Sequence, residues 1–443
     1  MDRVCSDIPV KRVAITTLGC KINQFETAAM TESLAKAGFR LVPFTDEADI
    51  YVINTCTVTA RTDAESRRLI RRAGRRNPAA RVVVTGCYAQ VAPDTLRQVP
   101  GVHLVLGNAE KKGIAELLRE VADPAGPRVL VSDIGRERTA EGLRLESFAE
   151  HTRAFLLVQN GCDAGCTYCI VPHARGPSRS VPAEDVLAGV AAFTTRGFRE
   201  VVLTGIHLGA YGLDLTPATN LAGLMREIEE RGLTQRLRLG SVEPLEIDGE
   251  LVQVLAASRI VCPHLHIPLQ SGSDRVLAQM NRSYTAAGFR ARVEPLIAAL
   301  PDLCLGMDVI AGFPGESDED FAATVRLVES LPVAYLHVFP FSPRPGTLAA
   351  NLAGRVPGAV VKERVQALRR LSDEKRLTFH RRFLGRELPV LPLQRQGDGP
   401  QQGLSRNYLT VRLEGEHLPD SREIPVRITA VAGDRVTGTI LSP

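Results

Sequence analysis

The sequence contains no uninterrupted apolar run approaching the roughly 20 residues a bilayer-spanning helix needs, so no membrane partner is expected. Its first nine residues carry no apolar signal core. The expected setting is therefore cytoplasmic and reducing, where grouped cysteines mean metal binding or catalysis. A large net charge is also absent: 54 Lys and Arg against 50 Asp and Glu leave +4. That balance is compatible with RNA but does not by itself argue for a nucleic-acid partner. At 443 residues, 44 % hydrophobic and 23 % charged, the chain has the composition of globular protein and the length of two to four domains of about 150 residues each.

A further absence is local. Residues 160–169 read Asn-Gly-Cys-Asp-Ala-Gly-Cys-Thr-Tyr-Cys, placing Cys162, Cys166 and Cys169 in a Cys-x3-Cys-x2-Cys run behind a strand-like segment. Three thiolates this close can each hold one iron of a cubane cluster. Gly161 and Gly165 let the backbone wrap and aim its N–H groups at sulfur. The run has no fourth cysteine, so one iron keeps an open position, the arrangement that permits chemistry at a metal. Zinc completed by His173 is the competing reading. A disulfide is disfavoured by the odd count of nine cysteines and the missing signal core.

Ahead of this run, short apolar segments at 12–18, 50–54, 81–85 and 102–106 alternate with helical ones at 25–37 and 109–121. The alternation implies a doubly wound parallel sheet. Cys20, Cys56 and Cys87 each stand just past a strand, on the edge where such sheets build sites. A single free cysteine there would read as a small core residue. Three at equivalent loops favour a second metal site, again without a fourth ligand. Arg67, Arg71 and Arg75 form one helical row, and Arg68, Arg72 and Arg76 its neighbour. A solvated face and a phosphate contact are equal readings of these rows. Cys5, Cys262 and Cys304 match neither set.

After a polar linker at 126–150, six βα units over 151–383 suggest an open, partial (β/α)6 barrel with its site at the strand C-termini. Those ends carry Thr204, Gly205, Glu243, Gln270, Asp308 and Gly312. His173, His207, His264 and His266 read as packing or hydrogen-bonding residues. A basic helix carries Arg369, Arg376 and Arg381, and residues 384–443 turn to short strands of a small all-β barrel. From 386 to 435 seven Arg face seven Asp or Glu, a balance that leaves the barrel little net charge for RNA.

The 162–169 run resembles the cluster loop of radical S-adenosylmethionine (SAM) enzymes. The order of parts resembles the methylthiotransferases: an N-terminal cluster domain at 10–125, a radical SAM domain at 151–383 and a TRAM-like RNA-binding barrel at 384–443. Thr17-Leu-Gly-Cys-Lys-Ile-Asn-Gln24, Asn54-Thr-Cys-Thr57, Thr204-Gly-Ile-His207 and His264-Leu-His-Ile-Pro-Leu-Gln270 are similar to the branch acting on threonylcarbamoyladenosine beside the tRNA anticodon. The resemblance implies two 4Fe-4S clusters. One, on Cys162, Cys166 and Cys169, cleaves SAM to a radical. The other, on Cys20, Cys56 and Cys87, carries the sulfur that a further SAM methylates. Tyr168, Thr204, Gly205, Glu243, Gln270, Asp308 and Gly312 are the implied SAM contacts. Arg67, Arg71, Arg75, Arg369, Arg376 and Arg381 are the candidate RNA contacts. The implied partners are tRNA and a low-potential electron donor such as flavodoxin or ferredoxin, not DNA. Sister branches acting on isopentenyl-adenosine or a ribosomal-protein aspartate, and a non-catalytic iron–sulfur RNA-binding module, are the alternatives.

Overall fold

The structure, a computed structural model, describes residues 10–120, 126–140, 145, 152–395, 399–415 and 422–441. Cys5 and part of the expected linker lie outside the described residues. The chain forms two compact units. One holds the described residues up to 145 together with Ile170–Pro177; the other holds those from 152 to Cys169 and from Ser178 onward.

In the first unit, strands β1 (Arg12–Thr17), β2 (Arg40–Val42), β3 (Ile50–Thr55), β4 (Arg81–Gly86), β5 (Val102–Leu106) and β6 (Arg128–Leu130) form one parallel sheet in the order β2-β1-β3-β4-β5-β6. Both faces are covered, which is why β3 and β4 are apolar throughout rather than alternating. Ile50 and Val52 pack with Met30, Leu34 and Leu118 on one face. Tyr51 and Ile53 pack with Leu69, Ile70 and Ala73 on the other. The helix Ala60–Arg76 starts at a capping box on Thr59 and Thr62. Residues 128–130, expected within a linker, instead pair with β5 as the edge strand; three residues are too short to show a pattern in sequence.

In the second unit, β7 (Arg153–Asn160), β8 (Arg179–Ser180), β9 (Glu200–Gly205), β10 (Leu237–Leu239), β11 (His264–His266), β12 (Cys304–Ala311) and β13 (Tyr335–Pro340) form two sheets, β10-β9-β7-β8 and β11-β12-β13. Parallel bridges from Leu237 to Val261 and Ser241 to His266 join them. Apart from the two-residue β8, the strands run parallel, with helices between. This is the six-stranded open barrel expected.

The chain then closes a five-stranded barrel, β14 (Glu387–Pro392), β15 (Gln402–Ser405), β16 (Thr410–Glu414), β17 (Ile424–Ala432) and β18 (Arg435–Ile440), in the order β14-β15-β16-β18-β17. The polar β15 carries too little apolar signal to be seen in sequence. The barrel interior is continuous with the core before it: Val390, Val411 and Val426 share a cluster with Phe379, Phe383 and Ala334. Glu200 is fully buried and holds both Arg236 and Arg238, and Arg236 also reaches Glu423 of β17's entry. Cys262 and Cys304, which match neither cysteine set, are buried. Among the described residues, no helix is long and apolar enough to cross a membrane.

Candidate functional site

In the first unit, Cys20 directly precedes the helix Lys21–Lys36, Cys56 follows β3, and Cys87 opens the helix Cys87–Val91 after β4. β1 connects outward to β2, and β3 outward to β4. Cys20 and Cys56 therefore flank the switch point of the sheet, where the crevice of a doubly wound fold opens. The loops meet closely. A Cβ on Gly19 (φ +106°) would lie 2.7 Å from Cβ and 3.0 Å from Sγ of Cys56. Asn23 ties the loops together by donating from Nδ2 to the carbonyls of Leu18 (2.7 Å) and Thr55 (2.9 Å).

Cys20 is exposed, whereas Cys56 and Cys87 are buried. Burial and the neighbouring Cys87 sulfur push the Cys56 thiol up to about 12. Thiols held protonated in this way become ligands when a metal displaces their protons. Three convergent sulfurs behind a glycine that admits no side chain fit an iron–sulfur group. Below them lies a charged layer. Arg175 donates from Nε to Cys87 Sγ (3.3 Å), from Nη2 to Asn23 Oδ1 (2.6 Å) and Glu26 Oε2 (3.2 Å), and from Nη1 to Glu26 Oε1. Lys111 reaches the same carboxylate. Burial alone would raise the Glu26 carboxyl, but the two cations outweigh it and hold it at about 2.

The second unit carries the contiguous set. Gly161 (φ +75°) and Gly165 (φ +67°) take left-handed conformations that let the loop double back. Asn281 donates to the Gly165 carbonyl (3.0 Å), Thr167 bonds the carbonyls of Gln279 and Met280, and Gln159 donates to the Gly161 carbonyl (2.8 Å). Each of two sulfurs has a cationic neighbour. His207 Nδ1 lies 3.6 Å from Cys162 Sγ, and its Nε2 lies 2.5 Å from Glu246 Oε1. These two contacts raise the imidazole to about 10 despite its partial burial. Arg282 donates to Cys166 Sγ (3.3 Å) and is held by Glu243. Three half-buried thiols, two of them with donors aimed at their sulfurs, and no fourth cysteine in the loop fit a cluster with one open iron.

The implied SAM contacts fare unevenly. Tyr168 packs in the apolar cluster of Phe313, Met280 and Ile310. Glu243 is committed to Arg282. A side chain on Gly205 would press on Gln159 and Leu208. Gln270 stands at φ +62° and pairs through its backbone with Asp308 and Ile310. The other three are occupied structurally. Thr204 Oγ1 turns back to the Val202 carbonyl (3.3 Å). The Gly312 N–H goes to Glu316 (2.7 Å) while Val361 fills the space a Cβ would need. Asp308 bonds His266 (2.9 Å) and His337 (3.3 Å). The ligand atoms of His266, Asp308 and His337 lie within 4.8 Å of one another, a donor set able to hold a divalent ion.

Of the candidate RNA contacts, Arg67 donates to the Tyr88 hydroxyl (2.7 Å) and leaves the exposed row, while Arg71 and Arg75 stay exposed. Arg369 and Arg381 are exposed on the helix Gly358–Arg381. Arg376 pairs with Asp373 (3.4 Å) and lines a basin of about 910 Å³ with Tyr335, His337, Arg412 and Arg435. Sequence reasoning missed Arg175, Arg282 and Glu246. Their signal is contact across the fold, and no local pattern marks them.

Residues 12–107 match the model of "Uncharacterized protein family UPF0004", and residues 156–328 that of the "Radical SAM superfamily". The threonylcarbamoyladenosine tRNA methylthiotransferase MtaB of Aquifex aeolicus is 40 % identical over 91 % of this chain and 97 % of its own. The proteins of that name from Bacillus subtilis and Thermotoga maritima are 39 % and 36 % identical, over 94 % and 96 % of this chain and 93 % and 96 % of theirs. The chain belongs to the MtaB-like family of radical SAM tRNA methylthiotransferases. The radical SAM methyltransferase TsrM of Kitasatospora setae, solved with cobalamin and a 4Fe-4S cluster, shares the fold at 17 % identity, with a TM-score of 0.56 over 77 % of each chain. As a radical SAM tRNA methylthiotransferase, the chain uses a 4Fe-4S cluster and SAM, and the 162–169 loop with its three cysteines lies within the matched region.

Proposed function

We propose that this chain installs a methylthio group on carbon 2 of N6-threonylcarbamoyladenosine beside the tRNA anticodon, using two SAM molecules and two 4Fe-4S clusters. The observation that carries the reading is the presence of two three-cysteine sets, one on the loop 162–169 and one assembled from the ends of β1, β3 and β4. The substrate follows the names of relatives at 36 to 40 % identity.

A carbon–hydrogen bond on an adenine ring is neither acidic nor weak, so a cofactor must open it. When bound, the groups supply an electron that cleaves SAM to a carbon radical, and the sulfur that is methylated and transferred. The chain's own residues hold these groups. Cys162, Cys166 and Cys169 ligate the first cluster, and Cys20, Cys56 and Cys87 the second. His207, protonated between Cys162 and Glu246, and Arg282, locked by Glu243, place positive charge beside two sulfurs and stabilise them as thiolates. Among the implied SAM contacts, Tyr168, Gln270 and Glu243 are the residues that would meet SAM. The C-terminal barrel acts as a TRAM-like RNA-binding domain, and outside it Arg71 and Arg75 on the helix Ala60–Arg76 and Arg369 and Arg381 on the helix Gly358–Arg381 are available to phosphates. A low-potential flavodoxin or ferredoxin in the cytoplasm would supply the electron.

The test is anaerobic iron and sulfide analysis of wild type beside a Cys162/Cys166/Cys169→Ala variant. Retention of about half the iron supports two separate clusters; complete loss overturns the auxiliary cluster. Nucleoside mass analysis of tRNA from a deletion strain then decides the substrate. Loss of the 2-methylthio form of threonylcarbamoyladenosine is expected. Loss from isopentenyl-adenosine, or from a ribosomal-protein aspartate, would reassign it.

A further inference from the structure

The charged layer under Cys20, Cys56 and Cys87 has no role in the reading above. Arg175 is 1 % exposed, and Lys111 and Glu26 are buried with it. Taking such groups out of water costs several kcal/mol each unless they are paired with good geometry. The arrangement gives Arg175 that geometry on two sides. Glu26 and Asn23 receive its two Nη groups, which fixes the plane of the guanidinium and aims Nε at Cys87. Asn23 is in turn fixed by the carbonyls of Leu18 and Thr55, next to Cys20 and Cys56. One planar fork therefore connects the loops of all three cysteines, a task a flexible ammonium cannot perform. Glu26 also faces two cations with a single negative charge. A Cys87 thiolate adds negative charge on the edge of Arg175 that Glu26 does not face.

We propose that Arg175 is a positioning residue for the auxiliary cluster: through Nε it hydrogen-bonds the Cys87 sulfur, holds that ligand in place and raises the reduction potential of the cluster. The proposal rests on the reading that Cys20, Cys56 and Cys87 hold a cluster. Hydrogen bonds and positive charge at cluster sulfurs are among the factors that set the potential. Arg175 lies six positions after Cys169 in sequence, in the segment Ile170–Pro177 that packs with the N-terminal sheet. The same stretch of chain thus ends the motif of one cysteine set and supports the other.

The experiment uses full-length protein carrying the Cys162/Cys166/Cys169→Ala background, so that only auxiliary iron remains. Arg175→Gln, Arg175→Lys and Lys111→Met are reconstituted anaerobically. Iron content, reduction potential and the electron paramagnetic resonance spectrum of the reduced cluster are then measured. Arg175→Gln is expected to lower the potential and change the spectrum. Arg175→Lys should recover part of the potential without restoring the spectrum. Lys111→Met, which touches Glu26 and not the sulfur, should shift the potential less and leave the spectrum as in the parent. Arg175→Gln with the parent's potential and spectrum overturns the proposal. If Arg175→Gln does not fold, the Glu26→Gln/Lys111→Met/Arg175→Gln triple removes the whole buried charge layer, and an unchanged potential there overturns it equally. If the background protein binds no iron at all, the auxiliary cluster itself is refuted, a different failure from an unmoved potential.

Discussion

The two cysteine sets solve one problem in opposite ways. Cys162, Cys166 and Cys169 lie on a half-buried loop within eight residues, and their geometry comes from left-handed glycines and nearby backbone. Cys20, Cys56 and Cys87 come from three strand ends, and their geometry comes from the sheet order and a buried Arg175–Glu26–Lys111 layer. The first set is local and tolerant; the second depends on the whole N-terminal fold. The comparison is broken or kept by single alanines. Cys162→Ala should abolish reductant-dependent formation of 5′-deoxyadenosine. Cys87→Ala should leave that cleavage in place and abolish only the methylthiolated nucleoside. Chromatography of both products checks the pair, and loss of SAM cleavage in Cys87→Ala would show that the sets do not work independently.

The next largest contrast is in the supporting carboxylates. Glu26→Gln leaves two buried cations without their counter-ion, a change that costs about 3 to 5 kcal/mol. The partner of Arg282 is less enclosed: the Glu243 side chain is 28 % exposed against 4 % for Glu26. Glu243→Gln should therefore cost about 1 to 3 kcal/mol. Thermal or denaturant unfolding of the two variants measures the gap, and equal losses would remove it. Glu26 also gives the first unit a signature in acid. Its carboxyl sits at about 2 in the fold and near 4.3 when unfolded. Its contribution is complete above about 4.3 and disappears as pH falls toward 2. A stability profile across that window should flatten in Glu26→Gln.

The same contrast explains what could be read from sequence. The 162–169 run is visible because loop geometry is encoded by neighbours: spacing, glycine and the preceding apolar strand. Cys20, Cys56 and Cys87 were legible as a set only after the strands ahead of them implied a parallel sheet with a common edge. Arg175, Arg282 and Glu246 were not legible, because their partners lie 149, 116 and 39 positions away and a charged residue in a helix or turn ordinarily reads as solvated. The turn residues have packing roles that their sequence position does not show. Gly312 and Thr204 stand where a cofactor contact is expected. One is glycine because Val361 packs against it, and the other turns its hydroxyl back to its own strand. The strands β6 and β15 escaped because three or four partly polar residues have no period.

The smallest contrast lies in the glycines themselves. Both Gly19 and Gly165 have positive φ, so alanine at either carries the left-handed penalty of about 1 to 2 kcal/mol. They differ in surroundings. At Gly19 the new Cβ would meet Cys56 at 2.7 Å, so one cysteine loop must move and the auxiliary iron should be lost. At Gly165 the nearest atom is the flexible amide of Asn281 at 3.4 Å, an ordinary contact. Gly165→Ala should therefore keep its iron and its SAM cleavage and lose only about 1 to 2 kcal/mol of stability. Iron analysis beside a denaturation midpoint reads both effects on one preparation. Loss of iron from Gly165→Ala would mean that the contiguous loop is as tightly constrained as the assembled one, and that its half-exposed position confers no tolerance.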